Sequence, residues 1–508
     1  VKTALPEVCR AAERHSMETY GLREGAFMER ASLGAWEVFR KVFPQAKRMA
    51  ILCGPGSNGG DGLAMARHAW VDGFRPIVVL VGSEPKPGSA ASKQLAIVRR
   101  MGIETTTWSA FWRSEDFGAG QDLYGVDALF GTGLRRPLVG ESMEAAQWLS
   151  RRPTLALDLP SGLDGATGQP TGTCVVALHT ATFARSKPGL HLHPGRDHAG
   201  AVHVVEIGLP QASWTVAGEA IELLDDEWAK GRLAPRSRGA HKGDAGRAFL
   251  LCGSDEYFGA AVLAVSAALR SGAGLLQVAS TEFVASRIAL SIPEAMGFVG
   301  VGEEVDVQEV SNRIERAAAV LAGPGLGKSE AAKSALQRVL ERTGSPLVLD
   351  ADALNLVSAH PDLRQELSRI AKRHGLVLTP HPLEASRLLA EPTEALLADP
   401  IQAARKLSKA FGAVVVFKTA TPVVASPGGE LAIGVAGHEG MAVGGCGDAL
   451  AGAVVARLAE GVAPFEAACQ AVRAHARAGE LAGMRGRRGM SVTDLIAALP
   501  QAWEEMEL

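Results

Sequence analysis

Gly440-Met441-Ala442-Val443-Gly444-Gly445-Cys446-Gly447-Asp448-Ala449-Leu450-Ala451-Gly452 is the stretch on which the fold of this chain turns. It holds five glycines and one carboxylate, Asp448, and runs straight into the strongly apolar segment Ala449–Leu458, rich in helix formers. Backbone amides in a glycine-rich turn at a helix N-terminus are unpaired donors at the positive end of the dipole, so they attract anions. A carboxylate beside a bound phosphate is repulsive unless it takes a proton from the group that meets that phosphate. An anion hole with one base next to it is phosphoryl-transfer architecture. The competing reading is a glycine-rich helix start capped by Asp448, and the stretch alone leaves both open.

Upstream, short buried runs end in polar clusters. Pro346–Leu349 leads into Asp350-Ala351-Asp352-Ala353-Leu354-Asn355, Leu376–Leu378 into Thr379-Pro380-His381-Pro382-Leu383-Glu384, and Val414–Phe417 into Lys418-Thr419-Ala420-Thr421. In open parallel sheets ligands gather at the carboxyl ends of strands. Each cluster also has a plain structural reading: helix N-caps for Asp350 and Asp352, a packed turn for His381, a solvated strand end for Lys418. Ala322-Gly323-Pro324-Gly325-Leu326-Gly327-Lys328-Ser329 nearly spells a P-loop, but Ala322 stands where the pattern needs glycine. The strand Arg247–Cys252, the Ala-rich helix Gly259–Ser271 and the strand Leu275–Ala279 start this βαβ alternation. Before it, residues 222–245, with Asp225-Asp226-Glu227 and Pro235-Arg236-Ser237-Arg238-Gly239, read as a linker.

The first half repeats the theme. Residues 10–42 read as helical, with an apolar face through Met17, Phe27, Met28, Ala31, Trp36, Val38 and Phe39. The strand Arg48–Cys53 feeds Gly54-Pro55-Gly56-Ser57-Asn58-Gly59-Gly60-Asp61-Gly62, and a helix is expected from Leu63 to about Trp70. Gly54, Gly56 and Gly59 fit a dinucleotide-binding GxGxxG, and Glu84, after the strand Ile77–Val81, stands roughly where a ribose-binding acid would. Asp61, however, would repel a pyrophosphate, which points to a different ligand. Tyr124–Phe130 contains Asp127 and leads into Gly131-Thr132-Gly133-Leu134-Arg135-Arg136-Pro137; Thr154–Leu157 leads into Asp158-Leu159-Pro160-Ser161. Asn58, Asp127, Asp158 and Ser161 are hard oxygen ligands or proton-transfer groups. Taken singly, Asp127 and Asp158 read as helix or turn caps; together, at three crossover points, these residues argue for a site.

A chain of 508 residues is too long for one ordinary core. The formal charge of −3 gives no reason to expect nucleic acid or an anionic membrane as partner. The six cysteines form no CxxC, which fits reduced thiols in a cytoplasmic protein. No apolar run approaches the ~20 residues of a membrane span, and the first residues lack a signal-peptide layout.

The motifs GPGSNGGDG (54–62), VDALFGTGL (126–134) and LDLPSGLDGATG (157–168) resemble the YjeF N-terminal family, the NAD(P)H-hydrate epimerases. HKGDAG (241–246), GPGLG (323–327), LDADALN (349–355), LTPHPLE (378–384), VVFKTATPVV (415–424) and GMAVGGCGDALAG (440–452) resemble, in order, the YjeF C-terminal family, the ADP- or ATP-dependent NAD(P)H-hydrate dehydratases. The resemblance implies an α/β chain in which a Rossmann-like epimerase domain, residues 1–224, precedes a ribokinase-like dehydratase domain, residues 225–508. It implies K⁺ held by Asn58, Asp127 and Ser161. It implies epimerase contacts to the hydrate by Ser57, Asn58, Gly59, Gly60, Asp61, Gly131, Thr132, Gly133, Leu134, Arg135, Arg136, Pro137 and Asp158, the last as acid/base. For the dehydratase it implies hydrate contacts by Ala261, Gly325, His381 and Asp448, and contacts by Lys418, Thr419, Ala420, Thr421 and Gly447 to ADP or ATP, with Mg²⁺. The substrates implied are the hydrates NADHX and NADPHX, and the family tends to form homo-oligomers. Two departures stand out: the family commonly reads Lys-Gly-Ala where this chain has Lys418-Thr419-Ala420, and has Thr where Cys446 stands, both in the phosphate region.

Two further readings share these residues. A vitamin- or sugar-type kinase fused to a Rossmann-like domain has the same glycine–aspartate logic but yields a stable phosphorylated product. A nucleotide-binding module without catalysis would not need Asp448 and Asp158. A plain NAD-dependent dehydrogenase is disfavoured by Asp61.

Overall fold

The computed structural model describes residues 2–507 except 119–121, 135, 219, 240, 242, 304, 485 and 487. The chain divides into two compact units, Lys2–Ile221 and Glu222 onward. The first is built on a seven-stranded, all-parallel sheet. Its strands are β1 (Arg48–Cys53), β2 (Pro76–Leu80), β3 (Thr105–Thr107), β4 (Leu123–Ala128), β5 (Thr154–Leu157), β6 (His179–Phe183) and β7 (Ala201–Val205), in the order β3-β2-β1-β4-β5-β6-β7. The central strands are buried on both faces, which is why they read as continuous apolar runs. Strand order reverses between β1 and β4, so the chain leaves a crevice at their carboxyl ends.

Two sequence expectations shift here. Residues 10–42 form two helices, Pro6–Tyr20 and Glu24–Val42, because Gly21 takes a left-handed φ of 68° and closes the first. Phe27, Met28, Ala31, Trp36 and Phe39 are buried as expected, whereas Met17 is exposed. The helix after β1 begins at Ser57, six residues earlier than expected, so Ser57–Gly62 form its first turns. Glu84 is exposed and ion-paired to Arg99, and it does not line the crevice cavity.

The second unit's sheet carries β8 (Ile221–Leu223, which begins on the last residue of the first unit), β9 (Arg247–Leu251), β10 (Leu275–Ser280), β11 (Ala295–Val299), β12 (Ala319–Ala322), β13 (Leu347–Leu349), β14 (Leu376–Leu378), β15 (Val414–Phe417), β16 (Val423–Ala425) and β17 (Leu431–Ile433). They lie in the order β8-β17-β16-β15-β14-β13-β12-β9-β10-β11, parallel from β11 to β15, with antiparallel β16 and β17 extending the sheet. Order reverses between β9 and β12, giving a second crevice. The start of the expected linker is structured: Glu222 and Leu223 pair with Ala432 and Ile433, and Asp225 caps the short helix Asp226–Ala229. Leu223, Leu224 and Trp228 are buried in this unit's core, and that apolar content was masked by the charges around it.

The helix Cys446–Ala459 is buried along nearly its whole length and packs on the helix Phe258–Arg270. The approach is close enough that a Cβ on Gly452 would fall 2.2 Å from the Ala264 carbonyl oxygen, a rigid backbone atom. Gly452→Ala is therefore expected to lower the unfolding free energy of this unit by about 1–3 kcal/mol, read as a lower denaturant midpoint at unchanged slope. Among the described residues no helix is long and apolar enough to cross a membrane, and all six cysteines are free thiols.

Candidate active sites

A cavity of about 720 Å³ opens at the β1/β4 crevice of the first unit. Ser57, Asn58, Asp61, Gly131, Thr132, Gly133, Leu134, Arg136 and Asp158 line it, so the three motifs do converge. Gly59, Gly60 and Pro137 do not: the two glycines are buried inside the helix, and Pro137 is exposed beside the cavity loop. Arg135 lies outside the described residues. A Cβ on Gly131 would stand 2.8 Å from Asp158 Oδ2 and 3.5 Å from Asn58 Cγ, so these side chains crowd one point of the wall.

Asp158 follows β5 directly with a left-handed φ of 65°, a conformation that costs a non-glycine residue about 1 kcal/mol and marks functional turns. Its Oδ2 accepts from the Thr132 amide at 3.3 Å, and its Oδ1 receives the buried Lys187 ammonium. Burial, then the Asp158 and Glu13 carboxylates, push Asp61 well above the usual carboxylate range; burial, then Asp158, pushes Glu13 up as well. The cavity thus holds a carboxylate with a cation beside it and two carboxyl groups that favour the neutral form.

Asp127 and Ser161 lie beneath the cavity, fully buried. Asp127 Oδ2 accepts the Ser161 amide at 2.7 Å; Oδ1 takes the Ser161 hydroxyl at 2.6 Å and the Leu129 amide at 3.2 Å. Burial raises its carboxyl to about 6, against the pull of those donors. A carboxylate offers roughly four acceptor sites, so one remains. Both polar atoms of the buried Asn58 amide lack any protein partner. An orphaned amide oxygen, a carboxylate with a spare lone pair and a hydroxyl are hard oxygen donors, and that set fits a monovalent cation.

In the second unit, Asp448 is the third residue of the helix Cys446–Ala459. Among the described residues, the backbone amides of Gly444, Gly445, Cys446, Gly447 and Asp448 meet no backbone acceptor, and Gly445 at the N-cap supplies no side-chain cap. Asp448 does not cap the helix, so the capping reading of the opening stretch falls away. Burial, then the Asp350 carboxylate, raise Asp448 to about 7, with Lys418 opposing. The helix Pro464–Gly483 holds the turn from behind: buried His475 Nε2 lies 3.0 Å from the Cys446 carbonyl, and burial lowers this imidazole to about 4.

Lys418, at the end of β15, reaches Asp350 Oδ1 at 2.5 Å. Thr379 Oγ1 donates to the same oxygen at 2.8 Å, while Asp350 Oδ2 is buried without a partner. A Cβ on Gly447 would come 3.0 Å from Lys418 Nζ, so the ammonium lies directly under the free amides. Burial pulls Lys418 down, yet Asp350 and Glu384 more than offset this and its pKa is raised. Lys418 is no solvated strand end. Asp350 stands at the N-cap of Ala351–Ala359 but makes no cap bond. Asp352 reaches across to the Gly327 amide at 3.0 Å, tying down the near-P-loop turn.

His381 does cap. Its Nδ1 accepts from the Leu383 and Glu384 amides at 3.1 and 3.3 Å, and its Nε2 faces Glu384 Oε1 at 3.2 Å. Ala261 is fully buried, and a Cβ on Gly325 would meet the Tyr257 carbonyl, so both are tightly packed positions. The Thr419 hydroxyl donates to the Thr421 carbonyl at 2.7 Å, Ala420 is exposed and Thr421 is buried. The extra side chain of Thr419 thus folds back on its own turn.

Sequence reasoning missed Lys187, Glu13 and Arg10 in the first site and Thr379 and Glu384 in the second. The last two stand inside a motif already quoted. Lys187 follows β6, and the strand-end rule could have found it. Glu13 and Arg10 project from the helix Pro6–Tyr20, whose sequence gives no sign of facing a cavity.

Residues 24–189 match the family described as YjeF-related protein N-terminus, and residues 248–501 match NAD(P)H-hydrate dehydratase. The bifunctional NAD(P)H-hydrate repair enzyme Nnr of Escherichia coli K12 is 37% identical over 96% of this chain and 92% of its own length. The enzyme of the same name from Moorella thermoacetica is 33% identical over 97% and 95%. A ribokinase-like superfamily protein of Enterococcus faecalis, 26% identical, superposes with a TM-score of 0.50 over 56% of this chain and 96% of its own.

Proposed function

The chain belongs to the bifunctional NAD(P)H-hydrate repair enzymes, and on that premise we propose that its two crevices divide the repair of hydrated NADH and NADPH between them. Residues up to about 221 interconvert the R and S hydrates; the second unit removes water from the S hydrate at the expense of ADP or ATP, ADP being favoured. The observation that carries this is Asp448, a carboxylate raised to about 7 beside five free amides and above the Lys418–Asp350 pair. The kinase reading shares that geometry, but the family match spans both halves and favours repair.

A hydrated nicotinamide carries a hydroxyl beside the ring nitrogen, and hydroxide leaves poorly. Asp448 takes the hydroxyl proton as that oxygen attacks the terminal phosphate of the nucleotide, the phosphoanhydride bond breaks to release AMP from ADP (or ADP from ATP), and the amides of Gly444–Gly447 hold the transferring group. The nitrogen lone pair then expels phosphate, and loss of the C5 proton restores the dihydropyridine. Lys418–Thr421 and Gly447 face the nucleotide. Asp350, with its spare buried Oδ2, is the carboxylate available to a Mg²⁺ entering with the nucleotide, and such an ion offsets phosphate charge. In the first unit Asp158 is the acid/base, Asp61 and the Gly131–Arg136 loop contact the hydrate, and K⁺ held by Asn58, Asp127 and Ser161 would fix the loops that carry them.

Supplying the mixed hydrates with ADP or ATP and following the reduced cofactor tests both halves. Full recovery supports both activities, and none sinks the proposal; a stable phosphorylated product would mean a kinase. The base must be ionised, so dehydration is expected to fall tenfold per pH unit below about 7, where Asp448 and Glu384 both titrate, and to level off above. A profile of kcat/KM against pH checks this.

A further inference from the structure

We propose that Lys187 is the positioning residue of the epimerase site: its buried ammonium selects Asp158, out of four carboxyl groups lining one cavity, as the base. The assignment rests on the epimerase reading of the first unit. Glu13, Glu24, Asp61 and Asp158 all line the cavity, and nothing in their residue type says which of them acts. Lys187 answers through geometry. Its side chain is 3% exposed, and its Nζ donates to Asp158 Oδ1, to Thr182 Oγ1 at 3.0 Å and to the Phe183 carbonyl at 3.0 Å. An ammonium has three protons, and all three are spent. None is left for substrate, so Lys187 acts through Asp158 and not on the reacting atoms.

The placement is built from several elements. Lys187 follows β6, the neighbour of the strand that carries Asp158, and the Asp158 amide donates to the Ala181 carbonyl at 2.8 Å. The preceding Ser186 carbonyl accepts from the Ala4 amide at 3.0 Å and the Thr3 hydroxyl at 2.5 Å, so the N-terminal segment pins the lysine's loop. With Oδ1 on Lys187 and Oδ2 on the Thr132 amide, the Asp158 carboxyl group is held in the wall by two donors, each oxygen keeping a lone pair for the hydrate. The Lys187 ammonium is hydrogen-bonded to Asp158 and not to Asp61 or Glu13; burial raises both of these against the more distant pull of Lys187, which suits them to hold or lend a proton. The cavity then contains one base and neighbouring acids, the pair that moving a proton on and off the hydrate hydroxyl requires.

The test uses the full chain and purified R hydrate without nucleotide, so that dehydration is silent, with both isomers resolved by chromatography. K187M is expected to lower kcat for epimerisation about 10²- to 10³-fold with KM within about threefold. D158N falls at least as far, and K187M/D158N is no slower than D158N alone, as two residues acting as one unit require. Dehydration of the S hydrate with ADP by the same variants stays at the wild-type rate and shows that the second unit is intact, while the thermal midpoint of the first unit reports whether that unit is folded. Should K187M fail to fold, with its buried carboxylate left alone, the double variant leaves no lone charge, and its comparison with D158N carries the test. Ethylammonium restoring K187A activity supports the assignment further. A K187M kcat within about threefold of wild type, or a double variant slower than D158N by the whole K187M factor, overturns it. A wild-type chain that leaves R hydrate unchanged fails the epimerase reading itself, and is told apart because no variant is then involved.

Discussion

Asp448→Asn is expected to lower dehydration turnover by about 10³-fold, within the span a positioned general base supplies, while the KM for nucleotide changes little. The amides of Gly444–Gly447 and the Lys418 ammonium proposed to hold phosphate are untouched by the exchange, and an asparagine side chain fills the same volume. Binding made equally in ground and transition states survives, and only the step that needs a proton acceptor is lost. The same substitution has an opposite effect on stability. Burial, then Asp350, hold the folded pKa of Asp448 near 7, far above the unfolded carboxylate. Such a group favours folding fully only at a pH below its unfolded value, and that contribution is lost as pH rises through 7. At pH 8 the ionised carboxylate therefore destabilises the unit, and the neutral amide of the variant should add about 1–2 kcal/mol, a gain that vanishes below about pH 4. Denaturant unfolding at the two pH values measures it. A variant that keeps near-normal turnover shows that Asp448 is not the base.

The parts legible in the sequence are those where one physical demand dominates. Strands such as β1, β5 and β14 are buried on both faces, so continuous apolar runs give their bounds to within a residue or two. The glycine turns betray the crevices because only glycine allows backbone that close. What escaped is set by tertiary context. Ser57–Gly62 looks too glycine-rich for helix, yet it is the first part of one, since its lack of side chains lets that helix press on the sheet: a Cβ on Gly62 would meet Ala128 at 2.5 Å. Residues 222–229 looked like linker because four acidic residues interrupt their few apolar groups and leave no periodic apolar face. His381 shows the limit from the other side: its motif was legible, but only the structure shows its Nδ1 spent on a helix cap.

Asp158→Asn is expected to split the two activities cleanly. With mixed hydrates and excess ADP, the variant should recover reduced cofactor quickly until the S isomer is used up, then crawl at the rate of uncatalysed epimerisation. The catalysed second phase drops by about 10²–10⁴-fold, the worth of an acid/base group. The first phase keeps its wild-type rate, because Asp158 and every group it touches, Lys187 and the Thr132 amide, belong to the first compact unit, whereas Asp448, Lys418 and Asp350 belong to the second. The exchange should also leave Lys187 buried beside a neutral amide, costing folding stability of the first unit roughly 3–5 kcal/mol, the usual penalty for orphaning one member of a buried pair. The assay distinguishes lost chemistry from lost fold. Cavity collapse would expose Lys187 and the buried Asn58 and lower the thermal midpoint of the first unit steeply, whereas removal of the acid/base alone leaves a folded unit that still binds the R hydrate. Equal first and second phases in Asp158→Asn would place the acid/base elsewhere, with Asp61, already raised by burial in the same cavity, the next group to replace.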